Sequence, residues 1–433
     1  MLSKITSRAL YRTLTCIVLA YITFLLSRKY ERPSRYGDQS SYIVNNKCNG
    51  SDGLNLYSSK INVAVVAAVE YRLALLDGAL SQECQRLRRQ AEVLRHDIRI
   101  PWSTNPVVCT FATELELGGL PAYITQLEEL GWNFHVVGLG LRWRGLSMKA
   151  LAYEEFLRLT HPEQLIVVTD ASDMQVFVKP EVFKSRLNNI QRTYAREGAA
   201  SNIVFSAESN QWADRYGHDH PPKLVFRRTA SGPRTVKRGL FANIPRKTKA
   251  FPKVCDAVKG WSGRGCEGLW IKESQRISRI FDYATTARSR RYGYVHLNSG
   301  LYAGKSRHIE SMLQEMNVSL HENDQTVHME YWMVNHDWVV LDYGLEAFAT
   351  TSADSGLNSN GWSDYCSAEI VERDLVHSKI RSKPAFMHIP GTRGNQIKCF
   401  RKIFSLWRSY LSLCSEAGEE VVGPTVYSAA EVA

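Results

Sequence analysis

The sequence has few long apolar runs and few cysteines for its length. Only one stretch of the 433 residues could enter a bilayer, which excludes a polytopic transporter or channel. The nine cysteines form no CxxC pair and have no His-rich partner, so a structural zinc site is not expected. No internal repeat is visible. With 44% hydrophobic and 22% charged residues, the chain can bury a substantial core as one large domain with additions.

The positive charge is concentrated in one segment. The net charge is +11, but residues 221–292 contain 18 Lys and Arg against 4 Asp and Glu, and the rest is close to neutral. Aromatic residues are not regularly interleaved with the basic ones, which argues against nucleic acid as a partner. We interpret the segment as a solvated excursion or as a surface for an acidic acceptor.

An export signal is predicted at the N-terminus. Fifteen uncharged residues lie between Arg12 and Arg28, with Lys4 and Arg8 on their N-terminal side. Their length favours a cleaved signal peptide, whereas the RKYER run that follows, without a small-x-small cleavage site, favours an uncleaved anchor. We favour a signal-anchor over residues 1–30. It predicts a single-pass type II protein of the endoplasmic reticulum or Golgi membrane, with a lumenal body.

Residues 31–104 are assigned to a stem that ends in an amphipathic helix. The stem is rich in Ser, Asn, Gly and Tyr, and apolar residues recur every three to four positions between Leu80 and Ile98. This helix either packs on the body or self-associates, so a homodimer is one of two outcomes.

Glycosylation and cysteine patterns are compatible with an oxidising lumen. Sequons begin at Asn49 and Asn317, and eight cysteines remain when Cys16 is set aside. An even number suits disulfides, but the pairing cannot be deduced from the sequence.

From residue 105 the pattern changes to alternating strands and helices. Strands are expected at 106–113, 133–139, 164–173, 202–209, 294–304 and 338–343, and helices at 120–131 and 147–160. Such alternation implies βαβ units and a mostly parallel, Rossmann-type sheet with flanking helices, so the fold class is α/β. The domain is assigned to residues 105–400, with a basic insertion at about 221–292, and residues 401–433 to a C-terminal tail.

An acidic turn follows the third predicted strand. Ligands of parallel sheets bind beyond the carboxyl ends of the strands, so chemistry is first expected there. Asp170 and Asp173 could converge on a hard cation such as Mg²⁺, Mn²⁺ or Ca²⁺. Aspartate is also common in turns that bind nothing.

Short motifs follow one another between residues 105 and 398. They are CTFAT, LGLRWRGLSMK, VVTDASDM, VFSAESNQWAD, LNSGLYAG, NDQ, VLDYGLEAF and MHIPG. Their order and spacing resemble the glycosyltransferase domain of the procollagen lysyl hydroxylases, a nucleotide-sugar domain of the GT-A type. The resemblance implies a GT-A-like fold and a retaining transferase. It would move glucose or galactose from a UDP-sugar to a protein or glycan acceptor of the hydroxylysine or galactosyl-hydroxylysine type.

The resemblance also implies roles for individual residues. The metal ligands for Mn²⁺ fall on Asp170, Asp173 and His388, and the catalytic positions fall on Lys149, Asn298 and Asp324. Positions that bind the UDP-sugar are assigned to Thr110, Thr113, Trp143, Ser172, Gly391 and Arg393. Without the resemblance, His388 would be a core histidine, Lys149 a surface residue and Asn298 part of a plain turn.

The sequence departs from the family at two positions. Asn323 replaces the first Asp of an acidic motif, and Pro390 has no N–H to offer a diphosphate, a contact that Arg393 could supply instead. These departures support an alternative hypothesis, a non-catalytic lumenal protein that binds carbohydrate or nucleotide with the same fold. A third hypothesis is a membrane-tethered structural protein. The combination of Asp170, Asp173, His388 and Lys149 favours catalysis.

Overall fold

The structure, a computed structural model, describes residues 54–76, 89, 92–93, 97–115, 117–209, 224–229, 232–237, 267–282, 284–285, 287–318, 323–352, 365–371, 374–391 and 393–416. The predicted signal-anchor lies outside these ranges, as does most of the amphipathic helix predicted between Leu80 and Ile98. Within the described part of the chain, no helix is both long and apolar enough to cross a membrane.

Strands and helices alternate, and every strand and helix predicted between residues 105 and 343 is present. The strands are β1 (Val107–Phe111), β2 (Asn133–Val137), β3 (Leu165–Thr169), β4 (Met174–Val176), β5 (Ile203–Glu208), β6 (Leu224–Thr229), β7 (Gly232–Lys237), β8 (His296–Lys305), β9 (Val339–Asp342), β10 (Phe348–Thr350), β11 (Ala368–Val371), β12 (Asp374–His377) and β13 (Phe386–His388). The helices are α1 (Leu54–Leu76), α2 (Leu120–Glu129), α3 (Ser147–Leu157), α4 (Pro180–Arg196), α5 (Glu267–Ile280), α6 (Ala287–Arg291), α7 (Ser306–Met316), α8 (Asp324–Val334) and α9 (Arg393–Glu416).

Six strands form a large sheet in the order β2, β1, β3, β8, β5, β9. Strand β8 runs antiparallel to β3 and β5, and the other neighbours are parallel. Every residue of β1, β5 and β9 is buried, as expected for a sheet covered on both faces. The predicted α/β architecture with a mostly parallel sheet and flanking helices is therefore confirmed.

A small sheet of three strands has the order β10, β13, β4. Strand β4 directly follows the acidic turn, and β13 runs antiparallel to it with His388 opposite Met174. The rings of Trp132, Phe183 and Phe386 contact one another at centroid distances of 5.0 to 5.5 Å. Trp132 and Phe183 therefore pack against the first residue of β13. This register brings a histidine from late in the chain next to the turn that ends β3.

Helix α1 packs against α3 and β2. Ile61 is fully buried, and the side chain of Asn62 donates to the carbonyl of Leu139 and accepts the N–H groups of Gly138 and Leu139. The apolar run INVAVVAAV is buried as a helix in this contact. The part of the predicted stem that α1 covers is therefore packed on the body of the domain.

Helix α9 crosses the predicted boundary at residue 400. Ile403 and Trp407, in the predicted tail, are buried in the core. A disulfide between Cys366 and Cys399 joins α9 to the segment before β11. The first turns of α9 are therefore part of the folded domain.

Part of the basic insertion is also described. It includes the antiparallel pair β6 and β7 and the helices α5 and α6. Ile277 of α5 and Ser289 of α6 are fully buried, so both helices contact the core. The partner of the insertion stays a prediction.

Candidate metal centre and active site

The turn between β3 and β4 carries the two predicted acidic ligands, Asp170 and Asp173. Hydrogen bonds from both neighbouring strands fix its start. Thr110 Oγ1 of β1 donates to the carbonyl oxygen of Asp170 (2.9 Å). The Asp170 N–H donates to the carbonyl oxygen of Gly300 in β8 (2.8 Å). The turn is thus held at the carboxyl edge of the large sheet, where ligands of parallel sheets bind.

His388 lies beside both carboxylates. Its Nε2 is 3.0 Å from Asp173 Oδ2 and 3.5 Å from Asp170 Oδ2, although the histidine and Asp173 are 215 residues apart in the chain. One ligating atom from each of the three residues lies within 4.8 Å of the other two. The His388 side chain is only 4% exposed, while the Asp173 and Asp170 side chains are 13% and 22% exposed. The predicted convergence of the three side chains is therefore present, with the acids on the open side.

The chemistry of this triad suits a divalent cation. Asp173 Oδ1 is buried and has no hydrogen-bond partner among the described residues, a costly arrangement unless something else satisfies it. Two carboxylates and one imidazole are ligands that Mn²⁺ and related ions accept. Asp170, Asp173 and His388 could therefore hold a metal ion.

A hydrogen-bond chain behind His388 sets its tautomer. His388 Nδ1 is 2.8 Å from Asn298 Oδ1, which also accepts the N–H of Gly300 (3.0 Å). Asn298 Nδ2 in turn donates to Glu208 Oε2 (2.9 Å), and Gln325 Nε2 donates to Glu208 Oε1. Because Asn298 presents its oxygen to the ring, His388 Nδ1 carries a proton whether the ring is charged or neutral, and Nε2, which faces the acids, can bind a metal ion once its own proton is lost. The neutral ring then has the tautomer that a metal ligand requires.

Gly300 allows the strand to pass under the triad. A Cβ built on this residue would lie 2.6 Å from Asp170 Oδ2 and 2.6 Å from His388 Cε1. At this distance a side chain on residue 300 would displace Asp170 or His388, so glycine lets both ligands keep their positions. The predicted Asn-Ser-Gly segment thus contributes both an orienting amide and a close backbone approach.

Lys149 connects the triad to a third carboxylate. Its Nζ lies 2.7 Å from Asp170 Oδ1 and 2.9 Å from Asp324 Oδ2. Lys149 is on α3 and Asp324 opens α8, so two helices and the turn meet here. Both charged side chains are nearly buried, at 11% and 6% exposure. The lysine predicted as a catalytic residue therefore lies in the site.

The charges of the site shift its pKa values. Burial opposes the charged form of Asp170, but Lys149 and His388 outweigh it, so the pKa of Asp170 is lowered. Burial likewise opposes the charged form of His388, yet Asp173 and Asp170 raise its pKa above the usual value. Burial also disfavours charged Lys149, and the two neighbouring carboxylates raise its pKa. Without a metal, the excess negative charge is thus balanced by the lysine and the histidine.

The predicted donor-binding residues have varied surroundings. Thr110 is fully buried and bonded to the turn, so its hydroxyl supports the site from inside. The Thr113 carbonyl accepts the N–H of Gly140, and Trp143 is half-exposed with its ring 6.2 Å from that of Phe111.

The remaining three predicted donor-binding residues are close in sequence to the residues of the triad. Ser172 lies inside the acidic turn and is partly exposed. Gly391 is exposed just after β13, and Arg393 begins α9 with a side chain outside the described part. Their contacts with a donor stay predictions.

One departure from the motifs that the chain resembles has a local explanation. Asn323 is the N-cap of α8, and its Oδ1 accepts the N–H groups of Gln325 and Thr326. An aspartate would cap the helix equally well, since both residues are favoured there. The asparagine therefore caps the helix that begins with Asp324.

Two residues of the site were not predicted from the sequence. Glu208 ends β5 as a buried carboxylate, 2% exposed, and Gln396 of α9 donates to Asp173 Oδ2 (3.1 Å). An acid at the end of an apolar strand was a visible signal for Glu208. Gln396 had none, because its role depends on where α9 packs.

Comparison with known proteins gives no family assignment. The sequence matches no protein-family model, and no curated protein is significantly similar to it.

Proposed function

We propose that this protein is a metal-dependent retaining glycosyltransferase of the GT-A type. It would transfer glucose or galactose from a UDP-sugar to a protein-linked acceptor of the hydroxylysine or galactosyl-hydroxylysine type. One observation carries the proposal: the triad of Asp170, Asp173 and His388 lies directly beside the Lys149–Asp324 pair at the carboxyl edge of the sheet. The order of the sequence motifs supports it.

The residues of the site have distinct tasks in this proposal. Asp170, Asp173 and His388 would hold Mn²⁺, which supplies positive charge to a diphosphate leaving group. Lys149 places a second positive charge beside the carboxylate of Asp170, where its ammonium group can approach the phosphates of the donor. Asp324 offers a carboxylate to the sugar, whose ring gains positive charge as the bond to the leaving group breaks, as in glycoside hydrolysis.

Behind the reacting groups, the chain from Glu208 through Asn298 to His388 keeps the imidazole in the metal-binding tautomer. The low solvent exposure of Lys149 and Asp324 strengthens their electrostatic effect on a bound substrate. This arrangement of fixed charges suits stabilisation of a charge-separated transition state.

The proposed location is the lumen of the endoplasmic reticulum or Golgi, with the chain held by an N-terminal type II anchor. The basic-flanked apolar stretch before Arg28 supports it. The Cys366–Cys399 disulfide suits an oxidising compartment, and Asn317, which begins a sequon, is exposed at the end of α7. Treatment of the expressed protein with an N-glycosidase tests this location, since removal of N-glycans would increase its mobility on a gel.

The decisive experiment measures UDP release and thermal stabilisation of the purified protein with UDP-glucose and UDP-galactose, with Mn²⁺ or with chelator. We expect release that requires Mn²⁺. Asp173→Ala should lower the rate at least about 10²-fold, because a ligand for the charge-neutralising ion is lost. Glu128→Ala, at an exposed acid of α2, is the matched control and should keep the parent rate.

Two outcomes would contradict the proposal. Release that persists in chelator would exclude the metal-dependent mechanism. Nucleotide-dependent stabilisation without release from either sugar, in the presence of acceptors of the proposed type, would select the non-catalytic binding protein instead.

A further inference from the structure

Helix α9 reaches into the metal centre through one side chain. Gln396, in its first turn, donates from Nε2 to Asp173 Oδ2 (3.1 Å) and to the carbonyl oxygen of Ile389 (3.2 Å). Both partners can only accept, so the amide must present its NH₂ group to both. Gln396 therefore bridges the acidic turn and the residue that follows His388.

The bridge restricts the carboxylate of Asp173. Oδ2 is contacted by Gln396 from one side and by His388 Nε2 (3.0 Å) from the other, while Oδ1 is buried with no partner among the described residues. A carboxylate held through one oxygen cannot rotate freely. Gln396 thus leaves the lone pairs of Oδ1 unsatisfied in a fixed position, which favours a cation as their partner.

Other contacts of α9 hold the same region. Gln175 Nε2 of β4 donates to the carbonyl oxygen of Phe400 (3.2 Å). The Phe400 ring lies so close to Gly119 that a Cβ there would be 2.8 Å from it, and the Gly119 N–H donates to the Ser172 carbonyl inside the acidic turn (2.9 Å). The helix therefore contacts the acidic turn, the residue before α2 and β4.

The disulfide lies one turn after Gln396. Cys399 is fully buried, and its bond to Cys366 crosslinks α9 across 33 residues of chain. Lys402 Nζ of the next turn donates to the Cys366 carbonyl oxygen (3.0 Å). The crosslink thus fixes the helix at the level of the residue that bonds to the metal-site carboxylate.

We propose that α9 is a working part of the metal centre: Gln396 is a positioning residue for Asp173, and the Cys366–Cys399 disulfide holds Gln396 in place. The inference rests on the metal site of the proposed function but not on sugar transfer. Its consequence is that α9 sets the affinity for the ion, although none of its described residues is among the three ligands.

The test is a Mn²⁺ titration of the full-length protein, followed by the signal of free Mn²⁺ in electron paramagnetic resonance. Gln396→Met keeps the length of the side chain but removes both donors. We expect about 10-fold weaker Mn²⁺ binding, the usual effect of losing a partner of a metal ligand. Lys398→Gln, at an exposed position of the same helix, should bind like the parent. The unfolding temperature in chelator, measured for all three proteins, separates a loss of stability from a loss of Mn²⁺ affinity.

The role of the disulfide is tested by a double-mutant cycle. The paired change Cys366→Ser with Cys399→Ser should weaken Mn²⁺ binding about threefold in the parent and have no further effect in the Gln396→Met background, because both act through one contact. An equal loss in both backgrounds, or no loss in the parent, would overturn the role of the disulfide. If the serine variant does not fold, Cys366→Ala with Cys399→Ala takes its place in the same cycle.

The outcomes separate this inference from the proposed function. If the parent protein binds no Mn²⁺, the proposed function and the inference both fail. If the parent binds Mn²⁺ and Gln396→Met binds it equally well, only the positioning role of Gln396 is overturned. Equal losses in Gln396→Met and Lys398→Gln would also overturn it, since they would reflect a general effect on the helix.

Discussion

The large and the small sheet contribute different halves of the candidate site, and they are assembled differently. In the large sheet β1, β2 and β3 follow one another with single helices between them, and they deliver the acidic turn and Lys149. The small sheet joins β4 to β10 and β13 from far along the chain, and it delivers His388. Neither sheet alone carries the triad. The metal centre therefore exists only while the two sheets keep their mutual register.

The largest effect is expected from removing the contribution of the small sheet. His388→Ala deletes a ligand, so Mn²⁺ binding should weaken by at least about 10³-fold, more than the loss of an outer partner would cause. The large sheet does not depend on this side chain, so the far-ultraviolet circular dichroism of the variant should equal that of the parent protein. His161→Ala, which removes an exposed histidine away from the triad, is the matched control and should bind Mn²⁺ like the parent. Unweakened binding in His388→Ala would mean that the ion, if bound, uses another site.

Sequence patterns predicted the strands of the large sheet because the signals that define a strand are local. Apolar runs such as those of β1 and β3, separated by helices, predict parallel βαβ units, whereas the antiparallel position of β8 between β3 and β5 was not predicted. The acidic turn could also be located, since parallel sheets bind ligands at that edge. The mixed α/β architecture therefore followed from the residues alone.

The small sheet could not be predicted in this way. Its strands have three residues each, too few for a period, and their pairing spans most of the domain. The position of His388 was inferred only through the family resemblance. Gln396 escaped prediction for the same physical reason: its contact with Asp173 depends on the docking of a helix 223 residues away in the chain.

The next prediction tests the joint between the sheets with one methyl group. In Gly300→Ala the new Cβ would meet the side chains of Asp170 and His388 at 2.6 Å, so at least one of these two ligands must move away from the other. We expect about 100-fold weaker Mn²⁺ binding, together with the loss of about 1–3 kcal/mol in unfolding free energy that overpacking causes.

Gly304→Ala is the matched control for the joint. It lies on the same strand, and its Cβ would meet the Asn202 carbonyl at 2.8 Å, away from the triad. It should lose stability but not metal affinity. Similar metal affinities in both variants would show that the contact at Gly300 does not hold the halves together.

The two sheets also treat histidine differently, which predicts a pH effect. Burial lowers the pKa of His296 in β8 to about 4, whereas carboxylates raise that of His388 in β13. The unfolded chain binds a proton on His296 below about pH 6.5 and the folded protein does not, so stability is full above that pH and falls as the pH drops toward 4. Between pH 7.5 and 5 this histidine should lower the free energy of unfolding by about 2 kcal/mol.

Urea unfolding at several pH values measures this effect. In His296→Gln the free energy of unfolding at pH 7.5 should differ from that of the parent only by the cost of the substitution. Between pH 6 and 5, its dependence on pH should be smaller than in the parent by the uptake of about one proton on unfolding. An unchanged slope would show that His296 is protonated in the folded protein and that the large sheet accommodates its charge.

The smallest effect is expected where the large sheet orients the ligand of the small one. Glu208 accepts from Asn298 with one oxygen and from Gln325 with the other, so Glu208→Gln must turn an NH₂ group toward one of two donors. If it turns toward Asn298, that amide loses its anchor and His388 its fixed tautomer, and Mn²⁺ binding should weaken by about 10-fold. Glu128→Gln, on the surface of α2, is the control. If Glu208→Gln binds Mn²⁺ like the parent, the ligand of the small sheet does not need the negative charge of Glu208 in β5.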